Sequence, residues 1–245
     1  MKEILKKSLV LSFYELKVKN HNTYLGFLWY FLQPLLMFVV LFYVKHKVVD
    51  HEIVDFVPYL FIGVIMVHFF ISSTNLMMKA ITSNYELLNS RKIEPEIFIL
   101  SKFFMSLWNH IFETCIVVLI LSFLGFLHSF MYFLIVPFYA IFILGIGYFL
   151  CVVSTKVFDL TYIWSYLCQL LWFVLPIYYV ANEMIFIIKY NPISYYLELA
   201  RAFTFDLKNI SYDIVLLCFV ISLVFFVIGR LVFVSQREII SERIK

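Results

Sequence analysis

The side chains with the clearest chemical potential in this sequence are aromatic, and they gather in one apolar stretch. Tyr and Trp residues in the stretch 160–181 are Tyr162, Trp164, Tyr166, Trp172, Tyr178 and Tyr179. Each combines a flat apolar face with a hydrogen-bond donor. This combination suits sugar rings, which have apolar C–H faces and many hydroxyls. An aromatic belt at each membrane interface explains the residues at the ends of the stretch equally well.

The clearest ionisable side chain within an apolar stretch is Glu113, which lies next to Asn109 and His110 in the sequence. A charge inside a bilayer costs about 2.5–3.5 kcal/mol on insertion scales, so an intramembrane carboxyl indicates a role. That role is either packing against a polar group on another helix or a place along a transport pathway. The absence of several aligned acids argues against a proton-coupled transporter.

Sequence motifs for nucleotide or metal chemistry are absent. The six glycines form no phosphate-binding loop ending in Lys-Ser or Lys-Thr, so we expect this chain to bind no ATP. No HExxH motif or His/Cys cluster with metal-ligand spacing occurs, so we predict no metal site and no catalytic residue. The cysteines lie in apolar runs without metal or redox spacing, and we interpret them as small buried hydrophobes.

The elements that must position these residues are apolar segments of membrane-spanning length. The chain is 64% hydrophobic and only 14% charged, whereas soluble domains are about 25% charged. This composition predicts an all-α membrane protein in which residues 1–245 form a single transmembrane domain. A helix needs about 20 apolar residues to cross a bilayer. The predicted spans are 25–44, 56–78, 103–126, 130–153, 160–181 and 212–234.

Positive charge alternates between the connections of these six predicted spans. The segments 1–20, 79–102, 154–159 and 230–245 hold fourteen of the nineteen Lys and Arg residues, and the opposite connections hold five. Because positively charged connections stay in the cytoplasm, both termini are predicted to be cytoplasmic. An even number of spans agrees with that orientation.

Two segments are predicted to lie along membrane surfaces. Residues 1–24 include Leu5, Leu9, Phe13 and Leu16 on one helical stripe, which favours an amphipathic interface helix over an unstructured basic tail. The segment 182–211 is too polar to span and too apolar to lie free in water. Its Asn-Pro pair at 191–192 divides it into two short helices that dip into the outer leaflet, because the residue before proline avoids the α region.

The segment 79–102 is the longest connection on the predicted cytoplasmic side. It mixes apolar residues with Glu and basic residues, and it is far longer than a bare linker needs to be. A short helix with apolar and charged faces is what a docking surface for a soluble partner requires. A solvated loop explains the composition equally well.

Four segments are informative in their order along the chain: ELKVKNHNTYLGFLWYFLQP at 15–34, the connection 79–102, Lys156 to Asp159 with the later VLPIYY, and KYNPISYYLELAR. In these segments the chain resembles the membrane permease subunit of type-2 ABC exporters, specifically the branch that exports O-antigen, capsule and teichoic acid. The first segment is similar to the family's basic stretch followed by Leu-Gly-x-x-Trp and a proline. Asn20 stands where the family commonly has an aromatic residue. The matching residues are Glu15, Lys17, Lys19, Leu25, Gly26, Trp29 and Pro34.

The other three segments follow in the family's order. The connection 79–102 is placed like its coupling helix. Lys156 to Asp159 precedes a span ending in VLPIYY, where Leu175 replaces a frequent small residue. KYNPISYYLELAR resembles the Asn-Pro segment after the fifth span, with Arg201 at the basic position.

The resemblance implies a transporter subunit rather than an enzyme, in the cytoplasmic membrane of a bacterium. Two copies would form a pore above two soluble ATPase subunits, which would bind the ATP and Mg, and no nucleic acid would take part. A lipid-linked glycan would slide past aromatic residues of the first and fifth spans. These implied channel residues are Trp29, Tyr30, Tyr162, Tyr166, Trp172, Tyr178 and Tyr179.

Further sites follow from the same resemblance. The connection to the ATPase would use Tyr85, Glu86, Leu88, Arg91 and Glu94. Beside it would lie the interface helix, with Glu15, Lys17 and Lys19. The short outer helices would form a gate, with Pro176, Asn191, Pro192 and Arg201.

Two other functions remain open at this point. A type-2 exporter of a drug, haem or lipid would have the same architecture. An integral membrane transferase would need acidic or His-bearing loops, and the segment 50–55 offers Asp50, His51, Glu52 and Asp55 without a recognisable motif.

Overall fold

The computed structural model describes residues 2–20, 26, 28–48, 55–91, 93–157, 159–179, 190–205 and 211–243, and every regular element in these ranges is helical. The α-helices are α1 (Lys2–Asn20), α2 (Leu28–Val48), α3 (Phe56–Met78), α4 (Tyr85–Arg91), α5 (Pro95–Phe123), α6 (Val136–Ser154), α7 (Leu160–Val174), α8 (Pro192–Phe205) and α9 (Tyr212–Arg243). Short 3-10 helices cover Thr82–Asn84 and Leu127–Leu134.

Four of the described helical segments are long and apolar enough to cross a membrane. They are Phe56–Met78, Pro95–Phe123, Leu127–Ser154 and Tyr212–Arg237. The other apolar helices, Leu28–Val44 within α2 and α7, are shorter than this length. The all-helical architecture is therefore confirmed, whereas the count of six spans and the orientation of the termini stay predictions.

Prolines account for two of the differences between the helix boundaries and the predicted spans. α5 begins at Pro95, so residues 95–102 of the predicted connection belong to a membrane helix, and proline is well tolerated in a first turn. α7 ends at Val174, before the predicted end at 181. Leu175 precedes Pro176 and adopts an extended conformation (φ −78°, ψ 144°), which stops the helix.

The helix α3 lies at the centre of the bundle and packs against α2, α5, α6, α7 and α8. Its buried side chains run along most of its length, including Leu60, Ile62, Val64 and Met66. The largest helix–helix interface joins α6 to α9. There, a Cβ added at Gly229 would collide with the backbone carbonyl of Gly145. Small residues at this crossing allow the two backbones to touch, as is common between membrane helices.

The predicted interface helix is present as α1, and it packs against α5. Its buried face is formed by Ser8, Ser12 and Leu16. The predicted apolar stripe lies at the edge of this face, since Leu5 and Phe13 are 39% and 55% exposed. Because the serine side chains are small, α1 can approach α5 closely. Side-chain size therefore determines which face of α1 packs against α5 as much as apolar character does.

The prediction that all four cysteines are buried is wrong at one position. Cys151, Cys168 and Cys218 are buried, whereas Cys115 on α5 is exposed. An apolar side chain on the outside of a membrane helix faces lipid rather than water, so exposure at Cys115 carries little penalty.

Candidate functional site

A cavity of about 690 Å³ lies between α2, α3 and α7. Its wall includes Trp29, Tyr30 and Gln33 from α2, His68 from α3 and Trp172 from α7. The cavity therefore brings together aromatic residues that the sequence placed in two separate spans. Ligand cavities in proteins are usually lined by aromatic and apolar side chains together with a few polar groups.

One end of this cavity is bordered by Lys19, at the end of α1. Its ammonium lies 5.1 Å from the centre of the Tyr30 ring, a favourable cation–π distance. Partial burial lowers the pKa of the Lys19 ammonium, and the nearby positive charge of Lys102 lowers it further. Lys17 is exposed on the surface of α1.

The remaining predicted channel residues lie outside the cavity wall. Tyr162 and Tyr166 are 70% and 67% exposed on the outward face of α7. Tyr178 and Tyr179 follow the end of α7, with ring centres 5.2 Å apart in an edge-to-face arrangement. The Tyr179 hydroxyl donates to the carbonyl of Val174 at 2.7 Å, so this ring closes the end of α7.

Behind the cavity wall, His68 pairs with Glu113, the intramembrane acid that the sequence singled out. The His68 Nδ1 atom lies 3.1 Å from Oε1 and 3.3 Å from Oε2 of Glu113. The Glu113 side chain is 1% exposed, and that of His68 is 13% exposed. Sequence analysis missed His68, although an ionisable residue inside the predicted span 56–78 was a signal that could have identified it.

A second histidine, His110, lies close to the same carboxylate but away from the cavity. Its ring stacks on Phe69 at 4.1 Å between centres. Its Nε2 atom shares a hydrogen bond with the Tyr132 hydroxyl at 3.1 Å, and its Nδ1 atom is 4.0 Å from Glu113. His110 is thus fixed inside the bundle by α3 and by the segment that precedes α6.

At the end of the bundle that carries α8, called here the α8 end, Arg201 joins three elements. Its Nη2 atom donates to the carbonyl of Pro176 at 2.8 Å, of Ile177 at 3.3 Å and of Tyr59 at 3.3 Å. The guanidinium also stacks over the Tyr59 ring at 3.3 Å. Arg201 therefore fastens α8 to α3 and to the chain just beyond α7.

The surroundings of Arg201 explain how a charge is accommodated there. A Cβ at Gly63 would come within 3.0 Å of Nη2, so the glycine provides the space that the guanidinium occupies. α8 is too short to cross a bilayer, and burial lowers the pKa of Arg201 to about 10, which still leaves it cationic at neutral pH. Carbonyl oxygens replace the water that a buried cation would otherwise require.

The predicted gate residues are partly brought together. Pro176 and Arg201 are in direct contact. Asn191 caps α8, because its side-chain oxygen accepts from the backbone N–H of Ile193 at 3.0 Å, and Pro192 is the first residue of the helix. Proline is well suited to that first position. The first of the two predicted gate helices begins at 182, and residues 182–189 lie outside the described residues.

At the opposite end of the bundle, called here the α4 end, the predicted coupling residues divide into two groups. Tyr85 and Glu86 are exposed on α4, whereas Leu88 is 6% exposed and packs into the core. Leu88 thus anchors α4 and leaves the other two to face outward. The side chain of Arg91 is outside the described part of the structure.

The remaining coupling residue, Glu94, pairs with Arg237 of α9. Two residues further on, the buried Glu96 pairs with Arg230 of α9. Glu96 also accepts a hydrogen bond from the Tyr148 hydroxyl of α6 at 3.0 Å. These contacts tie the start of α5 to α9. Their partners are more than 130 positions apart in the chain, and the sequence analysis did not connect them.

The interface helix is also tied to the start of α5. Lys102 Nζ lies 2.8 Å from Glu15 Oε1, and both side chains are less than one-fifth exposed. Glu15 was predicted to lie beside the coupling connection 79–102. It contacts α5, the helix into which that connection leads.

Comparison with known protein families gives one match, to the family model described as ABC-2 type transporter, over residues 8–205. No curated protein matches the chain. The matched range includes the cavity, the pair formed by His68 and Glu113, and Arg201. It ends before α9, so Arg230 and Arg237 lie beyond it.

Proposed function

Because the chain belongs to the ABC-2 type transporter family, we propose that it is the permease subunit of an ATP-driven exporter of a lipid-linked polysaccharide. Membership makes it a multi-pass membrane permease that associates with ATPase subunits, not an enzyme in its own right. The proposal adds the cargo, of the O-antigen, capsule or teichoic acid type, and the location, the cytoplasmic membrane of a bacterium.

The single observation that carries the cargo proposal is the composition of the cavity wall. Trp29 and Trp172 offer flat faces to the C–H surfaces of sugar rings, and Gln33 and His68 offer polar atoms to their hydroxyls. Stacking on aromatic faces is weak and tolerant of the exact sugar. That tolerance suits a polymer, which must keep moving past the wall.

The working unit in this proposal is a pair of permeases above two ATPase subunits. The outward face of α7, with Tyr162 and Tyr166, would line the pore between the two copies. The exposed Tyr85 and Glu86 would contact the ATPase, which would bind ATP and Mg. ATP-driven closure of the two ATPase subunits would move α4 and α5. The α8 end would act as the outer gate.

A second cargo is favoured by the rest of the same wall. Pro34, Leu36, Met37 and Val40 make one side of the cavity apolar, which suits a drug, haem or lipid. The lipid carrier of a glycan would use this side as well. The transferase alternative depends on Asp50, His51, Glu52 and Asp55, of which the first three lie outside the described residues.

The proposed cargo is tested by depleting the chain in its native host and locating surface glycans. We expect lipid-linked glycan to accumulate inside the cell and to return to the surface with the wild-type chain. Trp172→Ala should slow this return severalfold, whereas Phe173→Ala, on the 68% exposed neighbour that does not line the cavity, should not. Unchanged surface glycan on depletion would refute the cargo proposal.

The partner is tested by purifying the tagged chain from the same membrane in mild detergent. A copurifying soluble subunit with a phosphate-binding loop is the expected result. Recovery of the chain alone in several detergents would contradict the proposed assembly.

A further inference from the structure

The pair formed by His68 and Glu113 connects the cavity to the buried side of α5. We infer that His68 is a hydrogen-bonding contact for a hydroxyl-rich chain in the cavity, and that Glu113 is the positioning residue that holds its ring. This inference rests on the proposed function, because it names the part of the site that the sugar would touch.

The geometry of the pair leaves one ring nitrogen for a ligand. His68 contributes to the cavity wall, and its Nδ1 atom is occupied by both carboxylate oxygens of Glu113. Whichever of the two groups carries the shared proton, Nε2 is the nitrogen left for the cavity. A carboxylate on one imidazole nitrogen fixes the ring orientation and the tautomer, as it does for histidines that bind metals.

Packing alone does not account for an acid at this position. Within the described residues, the ionic contacts of Glu113 are with His68 at 3.1 Å and with His110 at 4.0 Å. His110 is already held by Tyr132 and Phe69. A neutral polar side chain would pack at lower cost in a bilayer, so the acid indicates a function served through His68.

The surrounding wall indicates which ligand chemistry fits. Besides His68, the cavity lining includes the aromatic side chains of Trp29 and Trp172 and the uncharged amide of Gln33. Among the described residues of the lining there is one lysine, Lys19, at the end of α1. Aromatic faces together with uncharged polar groups match a neutral chain rich in hydroxyls.

The test uses the permease purified with its ATPase partner, in phosphatidylethanolamine–phosphatidylglycerol nanodiscs, and maltoheptaose as the probe. Binding is followed by quenching of tryptophan fluorescence, to which Trp29 and Trp172 in the wall contribute. Decyl maltoside and decyl tetraethylene glycol, which share a tail but differ in the sugar, separate sugar binding from tail binding. The variants are His68→Leu, His68→Gln, Glu113→Gln and the double change His68→Leu with Glu113→Gln.

Loss of one hydrogen bond should raise the maltoheptaose Kd about tenfold in His68→Leu. His68→Gln keeps a polar nitrogen near Nε2 and should recover most of that loss. Glu113→Gln should raise the Kd about threefold, and this effect should vanish in the double variant, because Glu113 acts through His68. His110→Gln, which alters the other neighbour of the carboxylate, is the control and should leave the Kd unchanged.

Several results would overturn the inference. They are a wild-type complex that does not bind maltoheptaose, equal binding of the two decyl amphiphiles, an unchanged Kd in His68→Leu, or additive effects in the double variant. Thermal unfolding of each complex identifies variants that fail to fold, and His68→Gln then decides the outcome. Glycan export by depleted cells is measured separately, so failure of the cargo proposal is distinguished from failure of this contact.

Discussion

Two arginines fasten opposite ends of this bundle, and their partners differ in kind. Arg201 at the α8 end is 7% exposed and donates to the backbone carbonyls of Tyr59, Pro176 and Ile177. Arg230 at the α4 end has a side chain that is 31% exposed, and it pairs with the carboxylate of Glu96. One contact joins a side chain to backbone, whereas the other joins two side chains.

This difference predicts which end can rearrange. A side-chain pair can break and form again through rotamer changes, while the helices stay where they are. Carbonyl oxygens move only with their backbone, so the contacts of Arg201 open only if α3, α8 or the end of α7 shifts. The α4 end is therefore the end that side-chain rearrangement can adjust, which suits the proposed contact with an ATPase, whereas the contacts at the α8 end open only with a backbone shift.

Removing Arg201 should have the largest effect on stability. Arg201→Met removes the hydrogen bonds that three backbone carbonyls receive from the guanidinium and should lower the free energy of unfolding by about 3 kcal/mol. Arg201→Lys keeps the charge but lacks the planar fork, so it should recover only part of this loss. Thermal unfolding in a mild detergent measures both changes.

The control for this prediction lies on the same helix. Glu198 is exposed on α8, and its charge favours the nearby Arg201 guanidinium, so Glu198→Gln should lower the unfolding midpoint far less than Arg201→Met does. If Arg201→Met were as stable as Glu198→Gln, the carbonyl contacts would not hold the α8 end, and the contrast between the two arginines would be wrong.

Breaking the pair at the α4 end should have the second largest effect. Glu96→Gln leaves Arg230 without its carboxylate and should cost about 2 kcal/mol. Adding Arg230→Gln removes the uncompensated charge, so the double variant should be more stable than Glu96→Gln alone. No second substitution can restore the lost hydrogen bonds of Arg201→Met in this way, because their acceptors are backbone carbonyls.

A double-mutant cycle on the unfolding free energy measures this rescue. Strictly additive losses at Glu96 and Arg230 would show that the two side chains do not act as a pair. In the same variants, the ratio of ATP hydrolysed to glycan exported should rise, since the start of α5 would lose its tie to α9.

A smaller effect is expected where the space around Arg201 is reduced. In Gly63→Ala the new methyl group would lie 3.0 Å from Arg201 Nη2 and 3.1 Å from Ile177 Cγ2, so both must shift. We expect a loss of about 1 kcal/mol from this overpacking. The loss should shrink in an Arg201→Lys background, where no Nη2 is present, and an equal loss in both backgrounds would contradict the crowding explanation.

The sequence predicted the elements of this fold better than their contacts. Lipid requires each spanning segment to satisfy its own backbone, so long apolar runs become helices almost irrespective of detail. Prolines at 95 and 176 moved helix ends by several residues because they act locally on the backbone. The aromatic cavity wall was partly predicted, since Trp172 stood out by type and the family resemblance implied Trp29 and Tyr30 as channel residues.

The pairings could not be predicted, for physical reasons that differ from site to site. His68 and Glu113 are 45 positions apart on two helices, and their contact depends on how α3 rotates against α5. Arg201 drew attention through a family resemblance, but carbonyl partners exist at every residue and leave no mark in a sequence. Glu94 was assigned to the coupling connection, and nothing nearby in the chain indicated that it also pairs with Arg237.

The smallest effect is expected at Glu94, and it separates the two pairs of the α4 end from each other. The side chains of Glu94 and Arg237 are 44% and 41% exposed, whereas that of Glu96 is 6% exposed. Glu94→Gln should therefore cost only about 0.5 kcal/mol, and this loss should disappear in high salt because solvent-exposed charges are screened. The loss from Glu96→Gln should persist in the same salt, since its carboxylate is shielded from ions. Equal salt dependence of the two variants would mean that both pairs are open to solvent, and the α4 end would then lack the buried tie to α9 that distinguishes it.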